Sequence, residues 1–467
     1  MAPLLQVEDL YTEIRLRSAT VHALEGVSLT VEAGECLGVV GESGSGKTMT
    51  ALSIMQLLPH GGHITGGRIM LDGKVISTLD EHGMRHVRGN EIGMVFQDPM
   101  TSLNPTMTIG DQIAETVRLH RGADKDKALA RAVEVLGLVG MPRPEERIKA
   151  YPHHFSGGMR QRVMIAMALA AEPRLLIADE PTTALDVTIQ KQILELIDDL
   201  RRRLGMAVIL VTHDLGVIAG RADRAAVMYA GRVVEETSTV RLFANPRHPY
   251  AEALFDSLPE KAADAAERLY SIPGMPPDLT QLPKGCKFAA RCRYVQDRCR
   301  DSEPPLGGDV GDHVYRCYFP VGDARDDAKP VGVVAAEAAQ RTPARPEAFA
   351  AADGAPLLRI EHLVKNFTVT AGAVMQRKVG AVSAVADVSF VIHRGKTFGL
   401  VGESGSGKTT IGRLVVGLDK ADNGAIVLDG DDLAKLSSRE RRRRSKDVQL
   451  MFQDSYASMD PRMRVGP

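Results

Sequence analysis

The 467-residue sequence lacks an excess of either charge: 58 Lys and Arg stand against 59 Asp and Glu, a net charge of −1. That balance excludes a global basic field able to hold nucleic acid or an anionic membrane. No apolar stretch approaches the roughly 20 residues needed to span a bilayer. The N-terminus, Met1-Ala-Pro-Leu-Leu-Gln-Val-Glu8, lacks the apolar core of a secretion signal. A soluble, cytoplasmic chain is expected, in which the five cysteines form no disulfide framework. The paired C-x2-C knuckles of a zinc ribbon are missing too. What the chain does have, at 44% hydrophobic composition, is enough apolar material for more than one buried domain.

It is organised around Gly41, Glu42, Ser43, Gly44, Ser45, Gly46, Lys47 and Thr48, a stretch that follows the apolar run Cys36–Val40 and leads into Met49–Met55 at helical spacing. Strand, phosphate loop and helix are the reading. The glycines let backbone N–H groups curl around phosphate oxygens, Lys47 reaches the β and γ phosphates, and Thr48 offers a hydroxyl to Mg²⁺. The octapeptide recurs unchanged as Gly402, Glu403, Ser404, Gly405, Ser406, Gly407, Lys408 and Thr409, again after an apolar run at 397–401. Chance does not produce that. Leu4–Leu10 also pairs with Leu357–Leu363, and Ala23–Ser28 with Ala384–Ser389. Met94–Pro105, which holds Gln97, pairs with Leu450–Pro461, which holds Gln453. The chain therefore holds two copies of one nucleotide-binding domain.

In the first copy, Val27–Val31, Cys36–Val40 and Arg68–Leu71 read as strands. The pattern turns helical from about Asp111, and Ala128–Val139 places its apolar residues on one face. A helix is expected over Val163–Ala171 and a short buried strand over Leu175–Ala178, ending in Asp179 and Glu180. A helix over Ile189–Leu204 should bury Ile193, Leu194, Ile197 and Leu200, and strand Ala207–Thr212 then delivers His213. This is an α/β core with an antiparallel subdomain and a helical insertion.

The ordered set resembles the ABC (ATP-binding cassette) ATPases over most of Leu4–Leu254: phosphate loop, Gln97 in Phe-Gln-Asp-Pro, Phe155-Ser156-Gly157-Gly158-Met159, Asp179-Glu180, Ala184-Leu-Asp186 and His213. The fold it implies is the P-loop NTPase nucleotide-binding domain, with parallel-sheet core, antiparallel β subdomain and helical subdomain. Asp179, with Thr48 and Gln97, would hold Mg²⁺; Glu180 would orient or deprotonate the attacking water; His213 would meet the γ-phosphate. Ser156, Gly157 and Gly158 open a helix and would touch ATP bound by an opposing domain. Gln97 would also couple nucleotide state to a membrane partner. Aligning the copies puts Phe367 at the family's adenine-stacking position, with Ile14 opposite it and Tyr11 out of register.

Four of the cysteines, Cys286, Cys292, Cys299 and Cys317, lie close together after a turn-rich stretch; Cys36 reads as a core residue. They suit a [4Fe–4S] cluster, a zinc ion or free thiols. Their surroundings, with His248-Pro-Tyr250 and the following residues to Leu254, resemble the C-terminal extension of dipeptide and oligopeptide importer ATPases, some of which carry a [4Fe–4S] cluster there. The basic run Arg439–Lys446 reads as a solvated helix face.

The expected organisation is a first nucleotide-binding domain at 1–255, the cysteine extension at 256–320, a disordered linker at 321–355 and a second, truncated copy at 356–467. The chain ends soon after Gln453, so the second copy is expected to lack a signature, an acidic strand end and the histidine. Neither intramolecular site would then be complete, and the first copy would need another intact domain.

The resemblance implies an ATPase using MgATP at the cytoplasmic face of the membrane. Its partners would be integral-membrane permease subunits, a second complete nucleotide-binding domain and, indirectly, an extracytoplasmic substrate-binding protein. The rival reading is an ABC ATPase acting on nucleic acid or the ribosome; the acidic, Ala/Pro-rich linker argues against it.

Overall fold

The computed structural model describes residues 2–183, 185–258, 270–308, 313–322, 356–371, 377–452 and 463. The linker expected at 321–355 lies outside the described residues from 323 onward, as does Gln453. The chain divides into two compact units, Met1–Arg341 and Thr342–Pro467.

The first unit opens on two long antiparallel strands, β1 (Leu5–Arg15) and β2 (Thr20–Val31), followed by the buried strand β3 (Cys36–Val40). β4 (Gly62–Leu71) and β5 (Lys74–Val75) complete a four-stranded antiparallel sheet in the order β2-β1-β4-β5. Next come β6 (Ile92–Val95), β7 (Leu175–Asp179), β8 (Ala207–Thr212), β9 (Arg224–Tyr229) and β10 (Arg232–Ser238). The short strands β11 (Gly307–Gly308) and β12 (Val314–Tyr315) lie in the cysteine extension. The second sheet runs β11-β12-β10-β9-β3-β8-β7-β6, and β9, β3, β8, β7 and β6 are mutually parallel. All residues of β3, β6, β7 and β8 are buried. That is why they read as continuous apolar runs rather than alternating ones.

Helices cover this sheet. The helix Val187–Leu204 buries Ile193, Leu194, Ile197 and Leu200, as its spacing predicts. Asp186 caps its start by accepting from the Ile189 N–H at 3.0 Å, and Gly205 ends it at φ 63°. Helices Ile109–Arg121, Lys125–Leu138 and Gly157–Leu169 share one apolar core with it. Cys36 is buried in that core, and burial pushes its thiol up to about 12. The opposite face packs on helix Lys47–Ile54 and the antiparallel sheet.

The cysteine extension is tied into this unit. β12 pairs with β10 through Tyr315 opposite Glu235 and Val314 opposite Glu236, lengthening the main sheet.

The second unit forms a four-stranded antiparallel sheet from β13 (Leu358–Ala371), β14 (Arg377–Ile392), β15 (Asn423–Leu428) and β16 (Asp431–Asp432), in the order β14-β13-β15-β16. Its core includes Ile360, Leu363, Val385, Ile411, Leu414 and Ile426, two of them on the helix Lys408–Val415. The run at 397–401, the counterpart of β3, is not a strand here. Val401 is 90% exposed, whereas Val40 is fully buried. In the first unit β3 is held between β8 and β9, and the described residues of the second unit contain no counterpart of either. The basic run forms helix Ser438–Arg444, where Arg444 pairs with Asp431 and Asp447.

Candidate active site

Parallel strands bring their carboxyl ends to one edge, and the crevice there is where α/β sheets place ligands. β3 runs into the phosphate loop, β7 ends on Asp179, β8 delivers His213, and Gln97 lies just beyond β6. Residues far apart in sequence meet because these four strands are neighbours in the order β3-β8-β7-β6.

The loop's shape depends on glycine at two points. Gly41 has φ 154°, and a Cβ there would stand 2.2 Å from the Met228 carbonyl oxygen. Gly46, at φ 105°, starts the helix Lys47–Ile54. Lys47 is buried, and its Nζ donates to the carbonyl oxygens of Gly41 and Glu42 at 2.8 and 2.9 Å. Burial lowers its affinity for its proton, against the charges of Glu180, Asp179 and Glu42. The Ser45 hydroxyl is buried and has no hydrogen-bond partner among the described residues. A cradle that excludes Cβ atoms and holds an unpartnered hydroxyl beside a buried ammonium suits a phosphate group.

Thr48 Oγ1 donates to Asp179 Oδ1 at 3.2 Å. Burial pushes the Asp179 carboxyl up to about 6; the Thr48 hydrogen bond opposes this, Glu180 adds to it and Lys47 opposes it. These are hard oxygen donors that suit Mg²⁺. Glu180 sits at φ 46°, a left-handed backbone that a glutamate adopts only when its surroundings hold it there. Its N–H donates to Val211 O at 2.9 Å. Its Oε2 accepts from Gln97 Nε2 and Thr183 Oγ1, both at 2.9 Å, and its Oε1 lies 3.2 Å from His213 Nδ1. Burial alone would raise this carboxyl. The hydrogen bonds from His213 and Thr183, with the charges of His213 and Lys47, outweigh burial and hold it below the usual range. Thr183 was not among the residues singled out from sequence; its place three residues after Glu180 is the signal that points to it.

Ser156 is exposed and caps helix Gly157–Leu169 by accepting from the Met159 N–H at 3.4 Å. Among the described residues no hydrogen bond joins Ser156, Gly157 or Gly158 to the phosphate loop. The second loop shows the same inner bonding, with Lys408 Nζ donating to Gly402 O and Glu403 O at 2.7 Å each. Phe367 is 43% exposed and pairs across the sheet with Val382. In the first unit Ile14 faces Val21 in the corresponding register, while Tyr11 packs over Gly66 and Gly26.

Cys286, Cys292, Cys299 and Cys317 line one cavity together with His248 and Phe288, and among the described residues none of the four is joined in a disulfide. Burial pushes Cys286 up to about 11 and Cys292 up to about 12. The space they enclose is only about 10 Å³, the size of a single water. Among the described residues no group of three or more His, Cys, Asp or Glu is arranged to hold a metal ion. The iron–sulfur and zinc expectations therefore gain no support from the described residues.

His248, beside that cavity, is buried and accepts from the Tyr250 N–H at 3.1 Å. Burial drives its imidazole down to about 3, against a backbone hydrogen bond involving Arg316. A folded-state value below the unfolded 6.5 means that the unfolded chain takes up a proton first, so His248 contributes stability that is lost as pH falls from 6.5 toward 3. The melting temperature of the wild-type chain should fall more steeply between pH 6.5 and 4 than that of His248→Asn, which keeps an acceptor but cannot titrate. Parallel slopes in the two melting series would show the reading to be wrong.

The ABC transporter family profile matches residues 24–183 and 385–466, and that of the oligopeptide/dipeptide transporter C-terminal region matches residues 234–299. The oligopeptide transport ATP-binding protein OppD of Mycobacterium tuberculosis is 44% identical over 469 residues, covering 100% of this chain and 75% of that protein. OppD of Bacillus subtilis is 53% identical over 304 residues, 65% of this chain and 85% of that protein. A solved dimeric ATP-binding cassette with bound ADP and Pi is 30% identical with a TM-score of 0.46, covering 50% of this chain and 98% of that one.

Proposed function

The chain belongs to the ABC transporter family, as an ATP-binding subunit of the oligopeptide-import branch, and from that premise we propose that its first unit is the seat of ATP hydrolysis. It is an ATPase that energises peptide import. The relatives' names favour transport over action on nucleic acid or the ribosome. One observation carries the assignment of parts: Lys47, Asp179, Glu180, His213 and Gln97 are gathered at the ends of adjacent parallel strands.

The loop Gly41–Thr48 holds the phosphates, with Lys47 turning from the Gly41 and Glu42 carbonyls to the β and γ oxygens. Thr48, Asp179 and Gln97 would hold Mg²⁺, which would supply positive charge to the phosphate oxygens. The ionised Glu180 Oε2 orients the attacking water and takes its proton, and His213 steadies the carboxylate and reaches the γ-phosphate. Ser156–Gly158 present a helix N-terminus to the nucleotide of a second complete nucleotide-binding domain.

No helix among the described residues is long and apolar enough to cross a membrane. Transport therefore uses permease subunits, at whose cytoplasmic face this chain docks, with an extracytoplasmic binding protein delivering the peptide. Affinity capture of the tagged full chain from detergent-solubilised membranes should recover multi-span permeases, and adding them should raise ATP turnover several-fold. Recovery of ribosomes or DNA instead would overturn the assignment.

A further inference from the structure

The phosphate loop of the first unit is gripped from outside by the cysteine extension. Arg291, whose side chain is only 4% exposed, donates from Nη1 to Glu42 Oε2 at 2.6 Å and from Nη2 to Glu42 Oε1 at 3.0 Å. This is the forked, charge-assisted geometry that fixes orientation as well as distance. Arg291 is itself held by Nε donating to Pro273 O at 3.0 Å and Nη1 to Tyr229 Oη at 3.3 Å. The Glu42 N–H donates to the Tyr250 hydroxyl at 2.8 Å. Both the side chain and the backbone of Glu42 are thus tied to residues more than 200 positions later.

The grip has a rigid base. Glu235 is fully buried and accepts from the N–H groups of Arg247 and His248 at 2.8 and 2.7 Å; its Oε1 also lies 2.7 Å from His313 Nε2. That fixes the start of helix Pro249–Asp256, which carries Tyr250. The second loop supplies a control within the same chain. It has the same eight residues, yet among the described residues no arginine and no tyrosine hydroxyl meets Glu403.

We infer that Arg291 of the extension and Tyr250 of helix Pro249–Asp256 are positioning residues of the ATP site, which together hold the phosphate loop in its anion-accepting shape. Neither group touches the phosphates; they act through Glu42. With that peptide fixed, the Gly41 and Glu42 carbonyls that hold Lys47 are fixed too, so less ordering is needed when nucleotide arrives. Removing Glu42 leaves the buried Arg291 charge without its mate, and removing Arg291 releases the half-buried Glu42 side chain, so the two ends depend on each other.

The inference rests on the reading that Gly41–Thr48 binds ATP, and the test separates the two. Binding of Mg–ADP to the full chain is measured by calorimetry in a Lys408→Ala background, which silences the second loop. Arg291→Gln should raise the Kd about tenfold and Tyr250→Phe about threefold, with Arg291→Lys in between. Glu42→Gln combined with Arg291→Gln should be no weaker than Arg291→Gln alone, a non-additivity that a general loss of stability does not produce. Where Arg291→Gln fails to fold, Tyr250→Phe, which removes one oxygen, still decides. Wild-type affinity in folded Tyr250→Phe and Arg291→Lys, with binding lost in Lys47→Ala, would overturn the inference alone. Retained binding in Lys47→Ala would overturn the reading beneath it.

Discussion

Glu180→Gln is expected to stop ATP turnover while leaving ATP bound. The amide has the carboxylate's shape, so Val211 still accepts from the backbone N–H and the fold survives. What is lost is the anionic oxygen that Gln97 and Thr183 now hold in place and that His213 flanks on its other side. Loss of a positioned base lowers turnover by about 10² to 10⁴-fold. Steady-state phosphate release should fall by that factor, while the Kd for MgATP stays within about threefold. An equal loss of binding and turnover would mean that Glu180 serves the nucleotide or the fold instead of the water.

The second large effect separates the two copies. Lys47→Ala should lower turnover by about 10² to 10³-fold, the usual loss when a donor aimed at developing charge is removed. The local electrostatics explain the size. Lys47 is the buried cation that faces Asp179, Glu180 and Glu42, and without it those carboxylates meet the arriving phosphates uncompensated. Lys408 has no such setting. It is bonded to its own loop in the same way, but the described residues of the second unit hold no acidic strand end beside it. Lys408→Ala should therefore reduce turnover by no more than about threefold.

Local patterns were legible in the sequence because local physics makes them. The helix Val187–Leu204 buries the four residues its spacing points to, and the strands Cys36–Val40 and Ala207–Thr212 lie where continuous apolar runs place them. The site's parts were legible as an ordered set of motifs. Their meeting was not, because it depends on the strand order β3-β8-β7-β6. Three features needed the folded chain. The left-handed backbone of Glu180 carries no mark in its residue type. The Arg291–Glu42 fork joins positions 249 apart, and no periodicity links them. The run at 397–401 shows the converse: a strand-like pattern without the neighbouring strands that would hydrogen-bond it forms no strand and stays exposed.

We propose that hydrolysis is carried out on the phosphate loop at Gly41–Thr48 and not on its identical twin at Gly402–Thr409. The most direct measurement is the steady-state turnover of full-length Lys47→Ala and Lys408→Ala chains, side by side at saturating MgATP. A loss of at least a hundredfold is expected in the first and near-wild-type turnover in the second. Equal losses, or a larger loss from Lys408→Ala, would contradict it.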